Sequence, residues 1–314
     1  MRLLVTGNCG FIGQNFVKLY KDKHEIIGMD MLTYASDRNA LLLCQTVIGD
    51  ISNQYDLEQA FALGPFDAVV NFAAFSHVDN SIAFPESFLK SNVNGTFYLL
   101  ETVRQRGGRF VQISTDETMG FLNIDDPPFS DPYHMKPSSP YSASKAAADC
   151  FVIAYGNTYG MDVVITKSCN NYGPLQFHEK LIAMTITNAI ANRPVLIHGK
   201  GEQIREWIWV NDHCHGIMAA LEHGQKMGIY HFGSGLEIRN IDIVIKILDM
   251  MGKPQSLIKF VEDRKGNDFR YLLDSSQTCA KLGWSANMPF ENGLRQTIEW
   301  YAANPSYWMP TNGT

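Results

Sequence analysis

Short apolar and β-branched runs alternate with amphipathic segments through the first 170 residues. Several of the runs are apolar on both faces, as strands of a parallel sheet covered by helices must be. Between them, segment 92–105 keeps Val93, Phe97, Leu100 and Val103 at helical spacing. This alternation predicts an α/β fold with a doubly wound parallel sheet. The predicted strands are RLLVT (2–6), HEIIGMD (24–30), TVIGD (46–50), DAVVNFAA (67–74), RFVQIST (109–115) and DVVITKS (162–168).

The pattern becomes mixed after residue 170. Helix-like stretches alternate with short strands such as PVLIHG and GIYHFGS, which predicts a smaller mixed α/β domain for substrate binding. The expected division is therefore residues 1–170 for one domain and mainly 171–314 for the other. The predicted helices of the second part are 181–192, 212–223, 240–251 and 290–302.

Composition narrows the class of protein. A formal net charge of −6 over 314 residues argues against sequence-independent binding to nucleic acid. No run of about 18 apolar residues is present, so no spanning helix and no membrane partner are expected. The six cysteines lack C-x-x-C spacing, which favours reduced thiols in a cytoplasmic location.

The first strand ends in a glycine turn, TGNCGFIG, with Gly7, Gly10 and Gly13 at G-x-x-G-x-x-G spacing. These glycines can make a tight turn, let backbone approach a pyrophosphate, and let the following helix pack closely on the sheet. The helix amino terminus offers free N–H groups to the phosphates. Asp30 ends the next strand, where it can accept hydrogen bonds from a ribose diol. We therefore predict a Rossmann domain that binds NAD rather than NADP.

Two polar features leave alternatives open. Asp50 can accept from an adenine amino group or can cap a helix over 52–62. His213 and His215 lie two positions apart, which points them to different sides of a helix, and no third ligand is evident. We interpret both histidines as structural and expect no metal site.

Candidate chemistry lies in two short segments. Tyr141 and Lys145 are four apart on one helical face, so the ammonium is expected to lower the pKa of the phenol from about 10. A phenolate can take a proton from a sugar hydroxyl. Asp116 and Glu117 stand side by side where a buried strand ends. Adjacent buried carboxyls separate in pKa, which gives one acid and one base. A capping Asp beside a surface Glu is the alternative.

Taken together, these motifs resemble the nucleotide-sugar 4,6-dehydratases of the extended short-chain dehydrogenase/reductase superfamily, and among them most closely the dTDP-glucose 4,6-dehydratases. The resemblance covers nearly the whole chain, and the Asp-Glu pair distinguishes dehydratases from epimerases of the same fold. It is carried by TGNCGFIG, DMLTYAS (30–36), AAFSHVDNSI (73–82), SNVNGT (91–96), STDET (114–118), PSSPYSASKAAAD (137–149), CNNYGPLQFHEKLI (169–182), GKGEQIREWIWVNDH (199–213) and DRKGNDFRY (263–271).

The resemblance implies a reaction and a partner. Tyr141, supported by Lys145, deprotonates the C4 hydroxyl while NAD takes the C4 hydride, and Thr115 hydrogen-bonds the C4 oxygen. Glu117 removes the C5 proton and Asp116 protonates the departing C6 oxygen. Hydride return to C6 then gives a 4-keto-6-deoxy sugar. The resemblance also implies a homodimer built from helices 92–105 and 140–158.

Position by position, the resemblance assigns two further sets of residues. The NAD contacts are Gly7, Gly10, Phe11, Ile12, Gly13, Asp30, Thr33, Asp50, Ile51, Ala73, Ala74, Ser91, Tyr141, Lys145 and Asn171. The contacts to the nucleotide-sugar substrate are Ser76, Thr115, Asn170, Lys180, Leu181, His198, Arg205, Asn240, Arg264 and Asn267.

Several positions depart from the family pattern and leave the nucleotide base open. His198 replaces a Tyr and Asn267 replaces a His near the expected base, so dTDP-glucose is the first substrate to consider and a UDP-sugar the second. The other departures are Phe75 for Glu, Asn80 for Arg, Met119 for Tyr and His178 for Pro. Two alternatives to a dehydratase stay open. One is a UDP-sugar 4-epimerase, which needs no acid–base pair at C5 and C6, and the other is a non-catalytic NAD-binding regulator.

Overall fold

Seven parallel strands form the main sheet of the protein, in the order β10-β6-β5-β4-β1-β2-β3. The computed structural model describes residues 1–263 and 266–309. The strands of this sheet are β1 Arg2–Thr6, β2 Glu25–Asp30, β3 Gln45–Ile48, β4 Ala68–Asn71, β5 Arg109–Thr115, β6 Val163–Ser168 and β10 Ile229–Phe232. All six strands predicted in the first 170 residues are present, and the doubly wound α/β class is confirmed.

Helices cover both faces of this sheet. The α-helices of the described chain, on this sheet and in the C-terminal part, are α1 Phe11–Tyr20, α2 Gln54–Phe61, α3 Val78–Ala83, α4 Pro85–Phe88, α5 Gly95–Arg106, α6 Pro140–Tyr159, α7 Leu181–Ile190, α8 Val210–His223, α9 Asn240–Met250, α10 Ser276–Leu282 and α11 Phe290–Ala303. Side chains of α1 and α8 fill one core with Leu3 and Val5 of β1. Side chains of α2, α5 and α6 fill a second core around Leu4. Strands buried on both faces explain the continuous apolar runs in the sequence.

The C-terminal part adds two small sheets. One has three strands, with β7 (Asn170–Tyr172) parallel and β11 (Glu237–Arg239) antiparallel to β9 (Ile204–Trp209). The other pairs β8 (Val195–His198) with β12 (Ile258–Val261) in parallel. Helices α7, α9 and α11 pack around these strands. This is the smaller mixed α/β part expected after residue 170.

The chain does not divide cleanly at residue 170. β10 lies beyond that boundary, yet it pairs with β6 as the edge strand of the main sheet. Helix α8 packs on α1 and β6, so it also belongs to the first part. The sequence placed GIYHFGS in the second domain because pairing between β10 and β6 is non-local. Among the described residues, no helix combines the length and the apolar character needed to cross a bilayer.

Candidate active site

Two adjoining cavities open at the carboxyl ends of the main-sheet strands. The first measures about 300 Å³ and is bordered by the ends of β1, β2, β5 and β6. The second measures about 370 Å³ and is bordered largely by the C-terminal part. Glu117, Asn170 and Lys180 line both, so the cavities form one continuous cleft. Ligands of doubly wound sheets bind in such a crevice.

The glycine turn forms the floor of the first cavity. Gly7 has φ +69°, and a Cβ there would lie 2.7 Å from the backbone nitrogen of Ala73. A Cβ on Gly13 would lie 2.2 Å from the Gly7 oxygen. Gly10 is the N-cap of α1 and supplies no side-chain hydrogen bond to the helix N–H groups. These groups and the positive end of the helix dipole fit a pyrophosphate.

Asp30 lies at the end of β2, on the wall of the first cavity. Its carboxylate accepts the N–H of Cys9 at 2.9 Å and that of Leu32 at 2.8 Å, and the hydroxyl of Ser36 at 3.1 Å. These bonds hold an acceptor at the position where a Rossmann fold meets the ribose diol. The residues present therefore fit NAD.

The first cavity brings together nearly all of the predicted cofactor residues. They are Gly7, Gly10, Phe11, Ile12, Gly13, Asp30, Thr33, Ile51, Ala73, Ala74, Ser91, Tyr141, Lys145 and Asn171. Asp50 is not among its lining residues; its carboxylate accepts from Ser52 and forms an ion pair with Lys90 at 3.1 Å. It does not cap α2 either, because Asn53 accepts the N–H of Tyr55 at 3.0 Å.

Tyr141 and Lys145 owe their position to the start of α6. Ser139 caps this helix, with Ser142 completing a reciprocal pair of hydrogen bonds, and Pro140 occupies the first turn. Both catalytic candidates then face the first cavity and are at least nine-tenths buried. Lys145 Nζ donates to the carbonyl oxygen of Ile113 at 2.6 Å, which ties α6 to β5.

Thr115 ends β5 and links the candidate acid to the candidate phenol. Its hydroxyl lies 3.1 Å from Asp116 Oδ1 and also hydrogen-bonds Tyr141. The backbone N–H of Glu117 donates back to the Thr115 hydroxyl at 3.3 Å. Asp116 and Glu117 begin a 3-10 turn that presents both carboxyls to the first cavity. Asp116, Glu117 and Tyr141 therefore lie close together around the Thr115 hydroxyl.

Burial, the charge of Glu117 and the charge of Glu206 raise the pKa of Asp116 well above its usual value. Asp116 is thus held neutral, as a proton donor must be. Burial and the charge of Glu117 also raise the pKa of Tyr141. This direction is opposite to the one expected from the sequence, because burial is the largest effect on the phenol and the charge of Glu117 adds to it. Burial lowers the pKa of Lys145 itself to about 8.

The second cavity collects the predicted substrate residues, except that Thr115 lines only the first cavity and Arg264 lies outside the described residues. They are Ser76, Asn170, Lys180, Leu181, His198, Arg205, Asn240 and Asn267. Arg205 lies over the ring of Tyr271 at 4.5 Å, and its Nη2 donates to Asn267 Oδ1 at 3.3 Å. A cation held in this way fits a diphosphate.

Tyr271, Gln176 and Asp268 also line the second cavity, although the sequence did not single them out. Tyr271 hydrogen-bonds Asp268 and stacks on Arg205. The one signal for these three residues in the sequence is that they lie within the motifs CNNYGPLQFHEKLI (169–182) and DRKGNDFRY (263–271).

One departure from the family pattern has a clear packing role. Phe75 packs on Phe88 at 5.7 Å between ring centroids, and Phe88 in turn packs on Tyr141 at 6.2 Å.

The two histidines proposed as structural lie on α8, away from each other. His213 is fully buried, its Nδ1 lies 2.9 Å from Asn171 Oδ1, and burial lowers its pKa to about 3. His215 packs edge-on against Tyr20. Within residues 1–263 and 266–309, no group of three His, Cys, Asp or Glu side chains could hold a metal ion.

The chain is similar to known sugar-nucleotide enzymes. It is 42% identical to the dTDP-glucose 4,6-dehydratase of Mycolicibacterium smegmatis, over 100% of this chain and 97% of the relative. It is 39% identical to that of Haemophilus influenzae, over 98% of this chain and 99% of the relative. The crystal structure of DesIV, a dTDP-glucose 4,6-dehydratase from Streptomyces venezuelae with NAD and TYD bound, superimposes with a TM-score of 0.94 at 42% identity, covering 99% of both chains.

Epimerases share the fold at greater distance. The UDP-glucose 4-epimerase of Thermotoga maritima, solved with UDP-glucose, has a TM-score of 0.92 at 25% identity, covering 97% of this chain and all of that chain. The family model described as GDP-mannose 4,6 dehydratase matches residues 4–297, which is most of the chain. The chain therefore belongs to the family of nucleotide-sugar 4,6-dehydratases within the extended short-chain dehydrogenase/reductase superfamily.

Proposed function

We propose that the protein catalyses the NAD-dependent dehydration of dTDP-glucose to the 4-keto-6-deoxy sugar. The convergence of Asp116, Glu117 and Tyr141 around the Thr115 hydroxyl carries this proposal. Relatives with this activity at about 40% identity over the full length support it. The residues of the first cavity would hold NAD, and the bound cofactor would supply the hydride acceptor for C4, the hydride donor for C6 and a positive charge on its nicotinamide.

Each residue has one task in this reaction. Tyr141 accepts the proton of the C4 hydroxyl, and Thr115 holds the C4 oxygen by hydrogen bonding. The resulting ketone acidifies the C5 proton, which Glu117 removes before water is lost and returns to C5 when hydride adds to C6. Asp116, held neutral by burial and by neighbouring acids, donates its proton to the leaving C6 oxygen. Elimination requires a neutral acid and an ionised base, and Asp116 and Glu117 fill these two roles.

We assign the two cavities to two different ligands. Residues 1–170 supply most of the first cavity, which we assign to NAD, and residues 171–314 supply most of the second, which we assign to the sugar nucleotide. We assign Lys180 and Arg205 to the diphosphate as sources of positive charge, and His198, which also lines the second cavity, to the base. Six free cysteines fit a reducing compartment.

The test is product formation from dTDP-glucose, with UDP-glucose as the second arm. The 4-keto product absorbs after alkali treatment, and no net NADH should accumulate. Glu117→Gln should stop the reaction after C4 oxidation, so that reduced nicotinamide accumulates on the enzyme. A C4 epimer without any 4-keto-6-deoxy sugar would favour the epimerase instead. Tyr141→Phe without any effect on activity would favour a non-catalytic NAD-binding protein.

We also propose a homodimer formed through α5 and α6. Aromatic side chains line this pair of helices, with Phe97 and Phe151 rings 5.9 Å apart. Phe151 is 39% exposed and Tyr159 54% exposed, which leaves an apolar surface for a partner. Phe151→Glu should give monomers in sedimentation velocity. Phe260→Glu, on the exposed face of β12, is the matched control and should leave the assembly intact.

A further inference from the structure

Two buried charged residues, Asp149 and Lys167, lie close to the catalytic candidate Lys145 and have no task in the reaction described above. Asp149 and Lys167 are each fully buried, and Lys145 is 4% exposed. Asp149 is on α6, and Lys167 is on β6. Charged side chains are rarely buried unless they are paired. The burial of these three charged side chains therefore needs an explanation.

Asp149 lies one helical turn beyond Lys145, on the same face of α6. Its Oδ2 accepts the hydroxyl hydrogen of Ser114 at 2.7 Å. Its Oδ1 is buried and has no hydrogen-bond partner among the described residues. The Ser114 bond fixes the orientation of the carboxylate, while one oxygen remains available to act on neighbouring charges.

Lys167 faces Asp149 from the sheet. Lys167 pairs with Ser114 in the register of β5 and β6, so both side chains project from the same face. Its Nζ donates to the carbonyl oxygen of Pro132 at 3.1 Å. Lys145 likewise donates to a neutral acceptor, the oxygen of Ile113. The charges of Lys167 and Lys145 both act on the Asp149 carboxylate, and each ammonium donates its hydrogen bond to a neutral carbonyl oxygen.

We propose that Asp149 is a positioning residue that keeps Lys145 in its ammonium form beside Tyr141, and that Lys167 keeps Asp149 ionised. The proposal rests on the proposed function, because it concerns the pair that supports proton removal from the C4 hydroxyl. Asp149 does not itself contact the sugar or the cofactor. Its charge also acts directly on the phenol, where it raises the pKa of Tyr141, and the proposed role is the opposing effect that reaches the phenol through Lys145.

The electrostatics of the cluster support this role. Burial lowers the pKa of Lys145 to about 8, and the charge of Asp149 acts in the opposite direction. Burial raises the pKa of Asp149, and Lys167, Lys145 and the Ser114 bond oppose that rise. Without Asp149, nothing in the cluster offsets the burial of Lys145. Its pKa would then fall further below its usual value.

Other titratable groups around the cluster cannot substitute for Asp149. His231 lies beside Lys167 across β10 and β6, and burial and Lys167 lower its pKa to about 4, so it is neutral at pH 7. The remaining groups are Tyr141 and Cys150 on α6 and the exposed Asp131 on the loop near Lys167. Asp131 acts on Lys167 and Cys150 is a thiol with a raised pKa, so neither places a negative charge beside Lys145.

The experiment is a titration of Lys145 in the NAD-loaded enzyme, with and without Asp149→Asn. The ¹⁵Nζ signal of Lys145, assigned by its loss in Lys145→Met, reports the ammonium directly. Loss of an opposite charge at this range shifts a pKa by about 1 to 3 units. In Asp149→Asn, the midpoint of the Lys145 titration should move to lower pH by at least about one unit. The loss of turnover at alkaline pH should move to lower pH by the same amount. Turnover at pH 8 should then fall about fivefold relative to turnover at pH 6.

Two further variants keep the result interpretable. Asp131→Asn makes the same chemical change at an exposed site facing Lys167 and should leave the midpoint and the profile unmoved. Asp149→Asn combined with Lys167→Met removes a buried carboxylate and a buried ammonium together, which avoids leaving an uncompensated charge. This double variant should show the same acid shift of Lys145.

An unmoved Lys145 midpoint in the folded single or double variant overturns the proposal. A loss of turnover that is equal at every pH, without a shift, also overturns it, because that result indicates a purely structural role. Failure of the proposed function is distinguishable, since it appears as absence of 4-keto product in the unmodified enzyme. The ¹⁵N titration remains decisive in that case.

Discussion

Replacing Asp116 by Asn should separate catalysis from stability at one position. Asp116 is 2% exposed, and burial, Glu117 and Glu206 hold it neutral by raising its pKa. Asn has nearly the same shape and no charge, so the exchange removes an acidic proton without removing a buried charge. The amide oxygen can keep the 3.1 Å hydrogen bond from Thr115. The other carboxyl oxygen has no partner within the described part of the chain, so no further bond is lost.

The magnitudes follow from this geometry. The unfolding free energy should change by about 1 kcal/mol or less, the size of one hydrogen-bond difference. Turnover should fall about 10²- to 10⁴-fold, which corresponds to about 3–5 kcal/mol of barrier. The raised pKa in the folded state means that the contribution of Asp116 to stability is lost as pH rises through that pKa. Asn does not titrate, so the variant should gain stability relative to the original protein as pH rises.

The assay compares 4-keto product formation, deuterium exchange at C5 and urea unfolding at pH 6 and pH 8. Exchange at C5 should persist, because Tyr141 and Glu117 are unchanged. Asp125→Asn makes the same substitution at an exposed position and should alter none of these quantities. A turnover within tenfold of the original enzyme would refute the assignment of Asp116 as the acid. A stability loss above about 3 kcal/mol would refute its neutrality, because it would indicate a broken buried ion pair.

Two other predictions concern the glycine turn and Glu206. Gly13→Ala should release NAD and destabilise the fold by about 1–3 kcal/mol, since its Cβ would lie 2.2 Å from the Gly7 oxygen. Gly10→Ala, whose Cβ would lie 3.4 Å from that oxygen, should weaken NAD retention with little change in the unfolding midpoint. Burial raises the pKa of Glu206 from 4.5 to about 7, so its stabilisation is present below pH 4.5 and is lost towards pH 7. Glu206→Gln should flatten that part of the stability profile in urea titrations, and an unchanged slope would contradict the assignment.

The sequence predicted the main sheet well because its signal is local. A strand buried on both faces needs a run of apolar residues, and β1, β2, β4, β5 and β6 each supply buried apolar side chains to the core. The glycine turn is equally local, since Gly7 and Gly13 are required by contacts within one strand–turn–helix unit and the strand beside it. The motif residues also converge, because the carboxyl ends of parallel strands meet at one edge of the sheet.

Non-local features could not be obtained in this way. β10 joins the main sheet only after a return from the C-terminal part, and its four residues carry no sign of that partner. Asp149, Lys167 and Glu206 look like ordinary charged residues in the sequence, although each is fully buried in the structure. Burial of a charge depends on what packs around it, and spacing along the chain does not encode that.

Tyr141 illustrates why the sign of an electrostatic effect needs the whole site. The sequence predicts a lowered pKa for the phenol because the ammonium of Lys145 lies one helical turn away. In the structure, burial and the charge of Glu117 act together to raise that pKa. A positive charge beside the phenol acts against this rise, and a bound nicotinamide would supply one in addition to Lys145. Cofactor binding would therefore favour proton removal from the C4 hydroxyl, which would couple the base to the hydride acceptor it serves.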